Sequence, residues 1–215
     1  MTRDSLILVF GKAPQSGRVK TRLAQDLGPG EALRIYDRMA RHLWDTVCTF
    51  RVGKPVQIWL CFDPPDQAEA IQAWLTGADR YLAQVQSNLG RRLAAGIQEG
   101  QALGFNAIAV IGMDTPDLSH HHLEAAFKCV AEGHVALGPS EDGGFYLLAG
   151  NGQSFKPESL VEGIRWSSSE TLSDLLANLE AMGLPTRLLP RLHDIDTLED
   201  LRHHQSRDPG AFYPL

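Results

Sequence analysis

The sequence predicts a three-layer α/β/α domain with a mostly parallel sheet, and three observations carry that expectation. Short β-rich runs alternate along the chain with helical stretches of roughly 10–20 residues, and right-handed crossovers join such units into a parallel sheet covered on both faces. Runs such as Leu6–Phe10 and Ala107–Ile111 are continuously apolar, as strands buried on both faces are. The 215 residues, 43% hydrophobic and 21% charged, match a globular composition and suffice for one well-filled core, so one domain spanning 1–215 is expected.

The elements follow in order. Ser5–Phe10 makes the first strand and stops at Gly11 and Pro14. Behind the break Gly28-Pro29-Gly30, apolar residues at Leu33, Tyr36, Met39, Leu43 and Val47 recur with helical period and predict a long helix over Glu31–Phe50. Val56–Phe62 is a second buried strand, and Asp63-Pro64-Pro65 opens a helix that runs to about Leu75, ahead of Gly77. Tyr81–Val85 is a weaker strand. Asn88 then caps a helix carrying Leu89, Leu93, Ile97 and Leu103, and Ala107–Ile111 is the next buried strand. Ser119 caps a helix through Leu123, Phe127 and Val130, followed by strands His134–Leu137 and Phe145–Leu148. Residues 149–166 lack a period and predict a mobile loop. Ser167 and Glu170 have capping-box spacing ahead of Leu172, Leu175, Leu179 and Met182, with Gly183 as the stop. Thr186–Leu189 and Thr197–His204 make the last strand and helix, and the tail beyond reads as a surface extension. Trp44, Trp59 and Trp74 lie on apolar faces and belong to the core.

Composition excludes several classes of function. No apolar run approaches the ~20 residues of a membrane span, and Met1–Ser5 lacks the apolar stretch of a signal peptide, so a soluble, cytoplasmic protein is expected. Cys48, Cys61 and Cys129 are odd in number and widely spaced, which suits core thiols rather than disulfides or a zinc site. With 20 Lys and Arg against 26 Asp and Glu, the formal charge of −6 argues against general affinity for nucleic acid. His120-His121-His122 cannot converge on one ion from a helix's first turn and reads as exposed.

Chemistry is then sought in the loops at the carboxyl ends of the strands. The first reads Gly11-Lys12 through Gly17-Arg18 to Lys20-Thr21-Arg22, and no acidic residue stands between Asp4 and Asp26. Four cations among glycines make a local anion site, although a solvated basic turn has the same composition. Neither Gly-x-Gly-x-x-Gly nor the Walker spacing is present. After Ala107–Ile111 comes Gly112-Met113-Asp114-Thr115-Pro116-Asp117, where Asp114 is placed to hold a hard cation such as Mg²⁺. Asp117 either joins it or favours the following helix N-terminus. Asp142-Gly143-Gly144 is a strong hairpin signal that is compatible with a role in the site. Asp194 and Asp196 fall on one side of an extended segment, where they repel unless a cation lies between them, and Asp196 has the alternative of capping the last helix. Arg165-Trp166, in the irregular segment, either covers a ligand or stands apart from the site.

Phe10-Gly-Lys-Ala-Pro-x-x-Gly-x-Val-Lys-Thr-Arg-Leu23, Gly112-x-Asp-x-Pro-x-Leu118, Gly138-Pro-x-x-Asp-Gly-Gly-Phe-Tyr146 and Asp194-Ile-Asp-Thr-Leu-Glu-Asp-Leu201 together resemble the nucleotide-diphospho-sugar transferase superfamily, the GT-A fold. The closest resemblance is to a bacterial GT-A-like glycosyltransferase family, mostly of unknown function and related to MobA-like nucleotidyltransferases. The resemblance implies a transferase that uses a nucleotide or nucleotide-sugar donor, a small-molecule acceptor, and Mg²⁺ or Mn²⁺. It places Gly11, Lys12, Gly17, Arg18, Lys20 and Arg22 on the nucleotide, and Asp142, Gly143 and Gly144 on the sugar or acceptor. The metal falls to Asp114, Asp196 and Asp194, and Lys20, Asp114 and Asp142 are the catalytic candidates. Where the glycosyltransferase Asp-x-Asp motif begins, this chain has Gly112. The alternatives are therefore nucleotidyl transfer or a non-catalytic nucleotide-binding domain.

Overall fold

The computed structural model describes residues 3–207. In chain order it contains β1 (Arg3–Lys12), α1 (Thr21–Leu27), α2 (Pro29–Phe50), β2 (Val56–Asp63), a 3₁₀ turn at Pro65–Gln67, α3 (Ala68–Trp74), β3 (Arg80–Ala83), α4 (Leu89–Ala102) and β4 (Phe105–Ile111). There follow α5 (His120–Ala131), β5 (Val135–Pro139), β6 (Phe145–Asn151), α6 (Pro157–Val161), α7 (Thr171–Ala181), β7 (Thr186–Leu188) and α8 (Leu198–Arg207). The strands form one seven-stranded sheet in the order β3-β2-β1-β4-β6-β5-β7. Only β6 runs against its neighbours β4 and β5, and it reaches β5 through the hairpin turn expected at Asp142-Gly143-Gly144. The sheet is mostly parallel with helices on both faces, the three-layer α/β/α architecture expected from the sequence.

Period-two alternation within the continuously apolar strands divides the core. Ile7 and Val9 of β1 face α2, α3 and α5, packing with Leu43, Val47, Ile71 and Leu123, whereas Leu6 and Leu8 face α4, α6 and α7, packing with Leu93, Ile97, Leu160 and Leu175. Trp44 and Trp59 are buried, and Trp74 is packed against the first cluster. Cys61 and Cys129 are buried and Cys48 is half-buried, all with free thiols. A third, smaller cluster joins Leu23, Ala32, Ile35, Met39, Ile195 and Leu201 from α1, α2, α8 and the segment before α8.

The structure corrects several expectations. Thr21–Leu27 is a helix, unseen in the sequence because its seven residues are too few to display a period and only Leu23 is buried. Residues 149–166 hold the end of β6 and helix α6, with Phe155, Leu160 and Ile164 buried against α4 and α7. Ser167 has φ of 58° and is not the cap of α7; the helix begins at Thr171, with Glu170 preceding it and Ser168 supplying the turn's hydrogen bonds. Among the three consecutive histidines only His121 is exposed: His120 Nε2 lies 3.0 Å from the Thr46 carbonyl, and His122 Nδ1 accepts from the Ser119 amide at 3.2 Å. The last helix extends to Arg207, and the rest of the expected surface tail lies outside the described residues. Among the described residues no helix is long and apolar enough to cross a membrane.

Candidate active site

From β1 the chain proceeds outward to β2 and β3 on one side, then returns to lay β4 on the other. The connections therefore diverge at β1 and β4, leaving a crevice at their carboxyl ends, where open α/β sheets bind ligands. Both the basic loop and the Asp114 loop leave the sheet there. They approach closely, since a Cβ added at Gly11 would collide with Met113 Sδ. The Tyr36 hydroxyl of α2 fastens the end of β1 by donating to the Lys12 carbonyl and accepting from the Lys12 amide, both at 2.8 Å. Burial, with the charge of Asp114 adding to it, holds the Tyr36 phenol well above its usual range, so it remains a neutral donor.

The basic loop returns to the crevice at Lys20, whose φ of 46° is a left-handed conformation uncommon for residues bearing a side chain. Leu23, three residues on, anchors α1 in the small cluster. The Lys20 side chain is 3% exposed, and its Nζ lies 2.5 Å from Asp114 and 2.8 Å from Asp196. Burial alone would lower its pKa, but the charges of Asp114 and then Asp196, with their hydrogen bonds, raise it, so the ammonium persists at neutral pH.

A backbone hydrogen bond brings the late segment to Asp114: the Ile195 amide donates to the Asp114 carbonyl at 3.1 Å. Ile195 is fully buried in the small cluster, so the carboxylates on either side of it are held at the crevice. Asp196 turns to Lys20, while Asp194 accepts from the Thr115 hydroxyl. Burial pushes the Asp194 carboxyl up to about 6; the Thr115 hydrogen bond opposes this, and the charges of Asp114 and Asp142 add to it. Asp196 does not cap α8. Thr197 and Asp200 do so reciprocally, the Asp200 amide donating to Thr197 Oγ1 at 3.2 Å and the Thr197 amide to the Asp200 carboxylate at 2.7 Å. Asp200 also accepts from the Asp196 amide at 3.0 Å and pairs with His193 Nε2 at 3.1 Å, while His193 Nδ1 lies 3.2 Å from Glu141.

The third wall is the β5–β6 turn. Asp142 accepts from the Ser140 hydroxyl at 2.5 Å and the Gly144 amide at 2.9 Å, so it organises the hairpin while remaining exposed. Gly143 has φ of 88°, and a Cβ there would strike the Ser169 backbone, a position that only glycine fills. Arg22, Glu141, Asp142, His193, Asp194, Asp196 and Asp200 line a cleft of about 240 Å³.

Of the sequence candidates, Lys20, Asp114, Asp194 and Asp196 are brought together, and Asp142 and Arg22 line a cleft with Asp194 and Asp196. Lys12, Gly17 and Arg18 are exposed on the loop. Asp117 faces α8 instead, 3.6 Å from both His204 and Arg207. Arg165 pairs with Asp174 at 2.8 Å and Trp166 lies against Gly90 and the second core, so neither is among the residues lining the cleft. Tyr36, Thr115, His193 and Asp200 escaped the sequence reading; only the Thr197-x-x-Asp200 spacing signalled one of them. Among the described residues no three His, Cys, Asp or Glu side chains converge as a metal cage. Asp114 and Asp196 nevertheless meet at one cation, Lys20, with 51% and 42% of their side chains exposed. Two carboxylates completed by water and phosphate oxygens are a usual Mg²⁺ donor set, so the pair fits a divalent ion.

Comparison with solved structures shows that the fold is the α/β architecture of the nucleotide-diphospho-sugar transferases. A provisionally named nucleotide-diphospho-sugar transferase of Desulfovibrio desulfuricans G20 superposes with a TM-score of 0.88 at 27% identity, covering 99% of this chain and 90% of that one. CMP:2-keto-3-deoxy-manno-octonic acid synthetase complexed with CTP matches with a TM-score of 0.57 at 15% identity, over 95% of this chain and 99% of the other. Rv0371c of Mycobacterium tuberculosis H37Rv, in complex with manganese, matches with a TM-score of 0.51 at 17% identity, over 94% and 97% of the two chains. Curated proteins give no match. The profile of DUF2064, described as an uncharacterized protein conserved in bacteria, matches residues 47–168 and so takes in Asp114 and the Asp142 turn; the chain belongs to this family.

Proposed function

We propose that the chain is a metal-dependent transferase that takes a nucleotide-diphospho-sugar as donor and passes its glycosyl group to a small-molecule acceptor. The observation that carries this reading is the meeting of Lys20, Asp114 and Asp196 at the crevice between β1 and β4. In it, Asp114 and Asp196 hold Mg²⁺ or Mn²⁺, with Asp194 behind them. Gly11, Lys12, Gly17, Arg18, Lys20 and Arg22 serve the phosphates, and Asp142, Gly143 and Gly144 face the sugar and acceptor. The bound ion supplies positive charge that stabilises the departing diphosphate. The acceptor oxygen forms a bond to the anomeric carbon as the bond from that carbon to the phosphate oxygen breaks, and the nucleoside diphosphate leaves. Asp142, exposed on the cleft, receives the acceptor's proton. Lys20 and Arg22 meet the charge that develops on the leaving group.

Gly112, standing where a first carboxylate would begin Asp-x-Asp, and the CTP-bound relative favour a second reading, nucleotidyl transfer from a nucleoside triphosphate to a phosphorylated acceptor. The products separate the two: glycosyl transfer releases a nucleoside diphosphate, nucleotidyl transfer pyrophosphate. A thermal-shift screen of nucleotides and nucleotide-sugars, with and without Mg²⁺, identifies the donor, because a ligand at 100 times its Kd stabilises by about 2.7 kcal/mol. A screen in which no nucleotide raises the melting temperature defeats both readings. Asp114→Asn should abolish the Mg²⁺-dependent gain in nucleotide affinity while leaving the apo-protein folded, and an undiminished gain removes Asp114 from the metal site.

A further inference from the structure

Lys20 reaches the two carboxylates from beneath, 3% exposed, while Asp114 and Asp196 keep about half of their side chains open to solvent. A cation arriving from solvent therefore meets the same two carboxylates from the opposite side. We infer that Lys20 is a placeholder for the divalent ion: in the ligand-free chain its ammonium holds the point between Asp114 and Asp196, and it leaves that point when the donor's phosphates offer it new oxygens. The inference rests on the metal reading proposed above.

Charge arithmetic gives the reason. One ammonium and two carboxylates sum to −1, so half of the pair's charge is already neutralised. A divalent ion added without an anion puts two like-charged cations on one pair of carboxylates, and their repulsion in this partly dehydrated site weakens binding. Diphosphate oxygens remove the conflict by taking the ammonium, after which both carboxylates serve the metal. Lys20 sits in a left-handed backbone conformation at the head of α1, held by the Leu23 anchor, so the side chain rather than the helix makes the exchange. Metal and donor then bind with positive coupling, and the coupling resides in one side chain.

The test is Mn²⁺ binding followed by electron paramagnetic resonance, without nucleotide, on wild type, Lys20→Met and Lys20→Arg. Lys20→Met keeps the length of the side chain and removes its charge, and its Mn²⁺ affinity should exceed that of wild type by about tenfold or more. Lys20→Arg keeps the charge and should bind as weakly as wild type. Equal Mn²⁺ affinity in wild type and Lys20→Met overturns the inference and leaves the metal reading standing, whereas no Mn²⁺ binding to either protein overturns both. Should Lys20→Met fail to fold by circular dichroism, amine acetylation of the wild type read by mass spectrometry decides. Mg²⁺ in large excess over its weakened affinity for the occupied pair should crowd the ammonium off the carboxylates even without donor and raise labelling of Lys20 several-fold, and unchanged labelling overturns the inference.

Discussion

The sheet core and the small cluster under the crevice bury the same kinds of side chain but do different work. Leu6–Val9, Ile58–Leu60 and Ile108–Ile111 lie between two helical layers, each residue supported by neighbouring strands of the sheet. Leu23, Ile35, Ile195 and Leu201 have no strand among them and come from stretches as far apart as α1 and α8. The first region defines the architecture, and the second sets where Lys20 and Asp196 stand within it. A protein can therefore lose its site through a cavity too small to unfold it.

Four measurements sharpen that contrast, beginning with the largest effect. Leu60→Ala, at a fully buried position in the sheet, should lower stability by roughly 3–4 kcal/mol and leave nucleotide affinity of the folded fraction intact. Ile195→Ala should cost less, roughly 2–3 kcal/mol, because the cluster can collapse around it, yet weaken nucleotide binding about tenfold or more by releasing the Asp194–Asp196 segment. Equal loss of affinity in the two variants, at matched folded fraction, would erase the distinction between the regions.

Asp194 provides the third test. Its carboxyl titrates at about 6 in the fold against a reference of 3.8, so between those values the folded state holds more protons than the unfolded chain. Stability contributed by the protonated form is present at the acid end of that window and is lost as pH rises through about 6. Asp194→Asn, which cannot ionise and can still accept from Thr115, should be roughly 1–3 kcal/mol more stable than wild type at pH 8 and should flatten the slope across the window. Denaturant midpoints at several pH values read this directly, and an unchanged slope would show that Asp194 is not the titrating group. The smallest effect belongs to Arg22→Ala on exposed α1: stability within about 0.5 kcal/mol of wild type, with nucleotide binding weakened more at low salt than at high.

Much of this contrast could be read before any coordinates. The continuous apolar runs announced the buried strands, and helical periods located α2, α4 and α5, because burial on both faces writes a pattern into neighbouring residues. The motif residues Lys20, Asp114, Asp142, Asp194 and Asp196 all stood out in the sequence as candidates. Their pairing did not. Lys20 and Asp196 are 176 positions apart, and only the docking of Ile195 on the Asp114 backbone makes them neighbours. The basic loop read as four equivalent cations, whereas one is buried and paired and the others face solvent, a difference set by where α1 begins. Tyr36 looked like one more apolar position on α2, since nothing local marks a hydroxyl that fastens a distant strand end.

The distance along the chain between Lys20 and Asp196 also has a consequence for synthesis. A growing polypeptide can lay down β1 through β7 with both faces of their core, yet it carries only one of the two carboxylates that hold Lys20 until the segment before α8 has been made. During that interval the ammonium has Asp114 alone, and Leu23 and Ile35 await Ile195 and Leu201. The fold thus precedes in time the meeting of Lys20 with both carboxylates, which is complete only with the segment before the final helix.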